Sequence, residues 1–163
     1  MFYLCSLGSN IEPLEHLPAA LCQLSERLQT LTISSFIETT PFDIQTEHKF
    51  VNALGWFESR QSPSQLKQFF NQLEARHGRN RNDPLSSAKD RSLDIDLIGP
   101  AEQQAALAYL AIDPFLLTLQ QQLFTTAAKT LPQALDINLQ LNPQQCLPLG
   151  KRPTTIHFNR ASG

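Results

Sequence analysis

The sequence predicts an α+β sandwich, two helices laid on one face of an antiparallel sheet, and three observations predict it. Apolar residues alternate with polar ones at period two through 93–98, the pattern of a half-buried strand. Leu14, Leu17, Leu21, Leu24 and Leu28 recur at helical spacing, as do Leu66, Phe69, Phe70 and Leu73. The segments up to residue 99 run in the order βαββαβ, which suits a ferredoxin-like sandwich followed by extra C-terminal helices.

Residues 2–7 form a short apolar strand, and Gly8-Ser9-Asn10 turns the chain. The first helix is expected to begin near Glu15, with Pro18 inside its first turn, because proline breaks a helix interior. Residues 31–39 carry β-branched and aromatic side chains and predict a second strand; residues 50–59 predict a third. Ser62, Pro63 and Gln65 supply an N-cap, an N1 proline and a capping box for the second helix, and Gly78 ends it. A polar loop, 79–90, leads into the strand that follows Arg91. Helices are expected at 101–110 and 115–131. Residues 1–140 are expected to form one domain. Pro143, Pro148 and Pro153 predict an irregular tail over 141–163, relieved only by a short edge strand near 155–158.

A length of 163 residues suits a single domain. The net charge of −2 argues against a globally basic nucleic-acid binder, so no nucleic-acid partner is expected. Cys5, Cys22 and Cys146 are odd in number and lack a metal-binding spacing, which fits a reducing, cytoplasmic location. No apolar run approaches membrane-spanning length, and no membrane partner is expected.

The chemistry concentrates at Asp94 and Asp96. On a strand they share a face opposite Leu93, Ile95 and Leu97. Two carboxylates about 6–7 Å apart repel by roughly 2–3 kcal/mol at an effective dielectric near 20. A hard cation such as Mg²⁺ would relieve that repulsion. Arg79 and Arg81 alternate across the preceding loop and Arg91 lies just upstream, so metal-holding carboxylates stand beside guanidiniums suited to phosphate. A solvated sheet face and a solvated basic loop are the plainer readings of the same residues. Glu74, four residues before Gly78, either reaches a nucleotide or is an ordinary helix-surface glutamate. Thr39, Thr40, Pro41 and Phe42, with Asn52, could hold a flat heterocycle through main-chain and amide groups; Phe42 and Phe50 fit a core equally well. There is no P-loop motif. His16, His48, His77 and His157 show no ligand spacing and read as structural or solvated.

Five segments in this order resemble the 6-hydroxymethyl-7,8-dihydropterin pyrophosphokinase (HPPK) family of the folate pathway: 7–10, 35–41, 50–53, 73–81 and 91–98. The resemblance covers residues 1–99. It implies that the pterin hydroxymethyl oxygen attacks the β-phosphorus of ATP and that AMP leaves. It implies two Mg²⁺ ions on Asp94 and Asp96, with Arg79 and Arg91 completing the catalytic set. ATP would meet Glu74, Arg81, Arg91 and Ile95. The pterin would meet Gly8, Thr39, Thr40, Pro41, Phe42, Phe50 and Asn52. The loop 78–90 would act as a lid, and the protein would work as a monomer on small molecules. The second half departs from the pattern: Pro114 and Gln120 stand where the resemblance calls for histidine and arginine. A relative that binds nucleotide or pterin with little or no catalysis is therefore the alternative. A ferredoxin-like RNA-binding module is a third reading, which the absence of an aromatic RNP strand opposes.

Overall fold

The computed structural model describes residues 1–40, 46–86, 88–125 and 130–158. Its elements are β1 (Phe2–Ser9), α1 (Pro13–Leu24), β2 (Thr30–Ile33), β3 (Ile37–Thr39), β4 (Phe50–Glu58), α2 (Pro63–Arg76), β5 (Asp94–Ala101), α3 (Leu117–Phe124), β6 (Ile137–Asn142), β7 (Gln145–Leu149) and β8 (Thr154–His157). The main sheet runs β5-β1-β4-β2-β8, with β3 also paired to β4, and every pairing is antiparallel. This confirms a mixed α+β architecture built on an antiparallel sheet.

Strand alternation sorts the side chains. Cys5, Leu7, Val51, Ala53 and Ile95 face α1 and α2, and their core takes in Leu17, Leu21, Leu66 and Phe70. Ile37, Leu54, Leu116 and Leu119 form a second apolar cluster that lies, by strand parity, on the opposite face, where α3 covers it. The rest of that face carries Gly8, Asn52, Asp94 and Asp96, because Gly8 pairs with both Asn52 and Asp94 while Ser6 pairs with Leu54 and Asp96.

Local chemistry explains the helices. Ser62 Oγ accepts from Gln65 N–H and Gln65 Oε1 accepts from Ser62 N–H, the reciprocal box expected from sequence. Gly78 adopts φ +92° after α2, the left-handed stop that glycine permits. The first helix starts earlier than expected. Pro13 takes the N1 position, which places Pro18 beyond the first turn. The expected single strand at 31–39 is broken at Ser34–Phe36. There Ser34 Oγ accepts from Leu54 N–H, Ser35 N–H donates to Gln122, and Phe36 N–H donates to Gly150 O.

Three further expectations are corrected. Residues 99–101 extend β5, because β1 is long enough to pair Phe2 with Ala101, and the next segment is a 3₁₀ turn, Gln104–Tyr109, rather than a helix from 101. A second 3₁₀ turn, Pro114–Leu116, leads into α3, so the helix expected at 115–131 is shorter. The described stretch 141–158 is no irregular tail. The expected boundary at 140 falls inside β6, which forms a hairpin with β7. Ile137 and Leu139 alternate with Asn138 and Gln140 and bury against the α1 side of the core. Pro148 is tolerated because this ribbon has only two strands, where a missing donor can face outward. The edge strand anticipated near 155–158 is β8, bound to β2.

Gly150 follows β7 at φ +104°, and a Cβ there would lie 1.8 Å from Leu135 O. The left-handed conformation alone costs an ordinary residue about 1–3 kcal/mol. Gly150→Ala should therefore lower stability by more than about 2 kcal/mol in a denaturant titration, with the backbone overlap adding to the strain.

Candidate functional site

The end of α2, the loop 79–91 and the start of β5 meet through charge. Glu74 sits on the buried side of α2, 1% exposed. Its Oε1 accepts from Ile95 N–H at 2.9 Å, and its Oε2 accepts from Arg81 Nε and Nη2 at 3.0 and 2.5 Å. It is neither a surface glutamate nor a free ligand; it ties the loop arginine and the acidic strand to the helix. A carboxylate this deep is tolerated because each oxygen has a donor.

Arg79 reaches further. Its Nη1 donates to Asp94 Oδ1 at 2.7 Å and lies 3.7 Å from Glu74 Oε1. Arg91 Nη1 donates to Asp94 Oδ2, also at 2.7 Å. Asp94 is thus held between two guanidiniums. Arg79 and Arg81, which alternate along the loop, both meet Glu74.

Asp96 is different. Among the described residues, no donor holds its carboxylate. Asp96 is exposed on the open face, yet the protein around it still disfavours its charge, Asp94 and then Glu74 repel it, and Arg91 and Arg79 only partly oppose them. Its pKa is pushed up to about 6. Asp96 borders a cavity of about 390 Å³ whose wall includes Ile98, Ile112 and Asp113. Among the described residues, no group of three or more His, Cys, Asp or Glu side chains could by itself enclose a metal ion. Any cation here would have to complete its shell with water or substrate oxygens, as Mg²⁺ commonly does.

On the same sheet face, Asn52 Nδ2 donates to Thr39 Oγ1 at 2.6 Å, with Phe50 paired to Thr39. Gly8 stands between this pair and Asp94, and a Cβ on it would come within 2.5 Å of Asn52 Oδ1. Thr40 is exposed at the end of the segment. Pro41 and Phe42 lie outside the described residues. Ile95 is not brought to this face. Alternation turns its side chain into the helix-side core, 3% exposed, and Glu74 occupies its N–H.

Gln120 is 6% exposed, and its Nε2 donates to Leu107 O and Leu110 O. It is committed to the preceding 3₁₀ turn and aims at no phosphate. Pro114 opens the second 3₁₀ turn. The histidines are structural: His16 Nδ1 and His77 Nδ1 share a 2.7 Å hydrogen bond, and His48 meets Asp90. Sequence reasoning missed the role of Asn10, which is 5% exposed and holds the backbone of Arg91. Only its polarity within a strand-to-turn junction signalled it.

The family model for 7,8-dihydro-6-hydroxymethylpterin-pyrophosphokinase (HPPK) matches residues 4–138. The 2-amino-4-hydroxy-6-hydroxymethyldihydropteridine pyrophosphokinase of Haemophilus influenzae is 35% identical over 96 residues, 57% of this chain and 58% of that protein. The Porphyromonas gingivalis protein of the same name is 34% identical over 95 residues, 57% of this chain and 65% of that protein. The matched region thus spans less than two thirds of these relatives' own lengths.

The raised pKa of Asp96 carries a stability consequence. The folded state holds the proton more tightly than the unfolded chain, whose value is near 3.8. A penalty therefore develops as pH rises from about 4 through 6 and persists above. Thermal melts of metal-free protein should show Asp96→Asn more stable than wild type at pH 8 and no different well below pH 4.

Proposed function

Because the chain belongs to the HPPK family, we propose that it transfers a diphosphoryl group from ATP to the hydroxymethyl oxygen of 6-hydroxymethyl-7,8-dihydropterin. The observation that carries this reading is the register of β1: Gly8 pairs with Asn52 on one side and with Asp94 on the other. A heterocycle held by the Asn52 amide, the Thr39 hydroxyl and the Phe50 ring would lie one strand away from the acidic pair. In the reaction the pterin oxygen bonds to the β-phosphorus, the bond from that phosphorus to the α-phosphate oxygen breaks, and AMP departs with the electron pair. The pterin hydroxyl loses its proton.

Asp94 and Asp96 fit Mg²⁺ by donor chemistry: both are oxygen ligands, and Asp96 carries a charge that no described donor neutralises. Two Mg²⁺ ions on these carboxylates would polarise the phosphoryl oxygens and screen their charge. Arg79 and Arg91, released from Asp94, would turn to the phosphates, where bidentate guanidinium contacts are strong. Glu74 keeps Arg81 and the start of β5 in place. The loop 78–90 would cover the reactants and exclude water.

The sheet order β5-β1-β4-β2, with α1 and α2 on one face, supports a ferredoxin-like βαββαβ core. A monomer acting on two small molecules in a reducing cytoplasm fits three cysteines that are all free. No helix among the described residues is long and apolar enough to cross a membrane. Gln120 and Pro114 favour one second reading, a relative that binds both substrates but turns them over slowly, since neither offers phosphate a charge.

Mixing the protein with Mg²⁺, ATP and the dihydropterin should release AMP, and Asp96→Ala should cut the rate at least about a hundredfold, near 2.7 kcal/mol of barrier. Absence of AMP above background, with both substrates bound, would leave the slow or silent relative standing. Gly8→Ala should displace the Asn52 amide and raise KM for the dihydropterin about tenfold while changing KM for ATP little, as steady-state kinetics would show.

A further inference from the structure

We propose that Asp90 is a positioning residue: it clasps the segment before β4 to the turn after β1 and so fixes Arg91 against Asp94. The inference rests on the phosphate role given to Arg91 above, but its geometry is independent of that role. Asp90 closes the long loop 79–90. Its Oδ1 accepts from Asn10 Nδ2 at 2.8 Å, and its Oδ2 meets His48 Nδ1 at 2.7 Å. Thr46 most of all, then His48 and Asn10, draw its pKa down. A solvated loop aspartate would bond locally or to water. This one spends its carboxylate on side chains from two distant segments.

The consequence passes through Asn10. An amide presents an acceptor and a donor at fixed separation, and the donor end is held by Asp90. The acceptor end then faces Arg91: Asn10 Oδ1 accepts from Arg91 N–H at 2.6 Å, while Asn10 N–H donates to Arg91 O at 2.9 Å. Both backbone groups of Arg91 are thereby pinned, and its Nη1 reaches Asp94. Thr46 and His48 stand between Thr40 and Phe50, so the clasp joins the heterocycle side of the cleft to the arginine side. A guanidinium hung on an unclasped polar loop would sample many positions. Misplacing a reacting-group contact by about 1 Å can cost on the order of a hundredfold in rate.

Asp90→Ala, His48→Ala and the double variant test this, with Asp90→Asn as a shape-preserving companion should the alanine variant melt early. Hydrogen exchange at the Arg91 amide should quicken about tenfold in Asp90→Ala, less in His48→Ala, and no further in the double variant, because the two act through one bond. In the AMP-release assay, kcat of Asp90→Ala should fall roughly 10- to 100-fold with KM for ATP shifted less than about threefold. Asp90→Asn should fall between it and wild type. Unchanged exchange at Arg91, or additive effects of the two alanine substitutions, would overturn the clasp. A kcat equal to wild type would overturn its catalytic consequence. Should wild type release no AMP, the pyrophosphokinase reading fails, and the exchange measurement still decides the clasp.

Discussion

The pairing of Asp94 with two arginines is the constraint on which the cleft depends. Glu74, Asp94 and Asp96 bring three negative charges to one place, and Arg79, Arg81 and Arg91 bring three positive ones. Buried and half-buried charges persist only where each has a partner, and removing one partner strands the other. Glu74 and Asp94 are satisfied; Asp96, exposed on the open face, is the member left over, its pKa raised first by the surrounding protein and then by the charges of Asp94 and Glu74. A cation shared between Asp96 and Asp94 competes with the two guanidiniums for the oxygens of Asp94. A displaced guanidinium then needs an anion nearby. Under the proposed function a metal-bound triphosphate would supply the cation and the anion together and add little net charge, which suits this network better than a bare metal or a bare phosphate would.

The sheet sets the distances at which this chemistry works. β1 lies between β4 and β5, and its register decides which residues of the two flanking strands stand side by side. A slip of one residue would turn Asp94 and Asp96 into the helix-side core, so the apolar set Cys5, Leu7, Val51, Ala53 and Ile95 fixes the acidic pair on the open face as firmly as it fixes the fold. The C-terminal hairpin contributes from behind. Gly150 O accepts from Phe36 N–H, and Leu135 N–H donates to Phe36 O, so the break between β2 and β3 is held by main chain from the far end of the sequence. That break delivers Thr39 to Asn52.

What could be read from the sequence was what depends on near neighbours. The acidic strand, the Ser62 cap and the Gly78 stop each rest on a few consecutive residues whose period or chemistry is decisive. What could not be read depends on distant partners. Glu74 looks like any helix glutamate until β5 lays the N–H of Ile95 against it. Asn10 looks like a turn residue until the loop at 90–91 closes on its amide. The ribbon of β6 and β7 was hidden by its prolines, because a strand that needs only one partner can carry a proline that a central strand cannot. The resemblance to a family named several residues that the fold gathers on one sheet face, yet it assigned Ile95 to the nucleotide although the alternation of the strand turns its side chain away.

Gln120 shows why a departure from a family pattern must be judged in its own surroundings. A guanidinium at a position only 6% exposed would need an anion beside it, or it would bear a large desolvation cost. The glutamine amide needs acceptors, and the end of the 3₁₀ turn offers them in Leu110 O and in Leu107 O, which also accepts from Leu110 N–H. Leu107 O and Leu110 O take its two N–H groups, so the side chain is satisfied and the turn is fixed to α3. Gln122 does the same for Ser35, bonding both its N–H and its hydroxyl. With α3 given over to holding the scaffold, the cationic groups beside the acidic pair come from the loop 79–91. The placement of that loop relative to Asp94 then matters more here than it would in a relative whose third helix carried charge of its own.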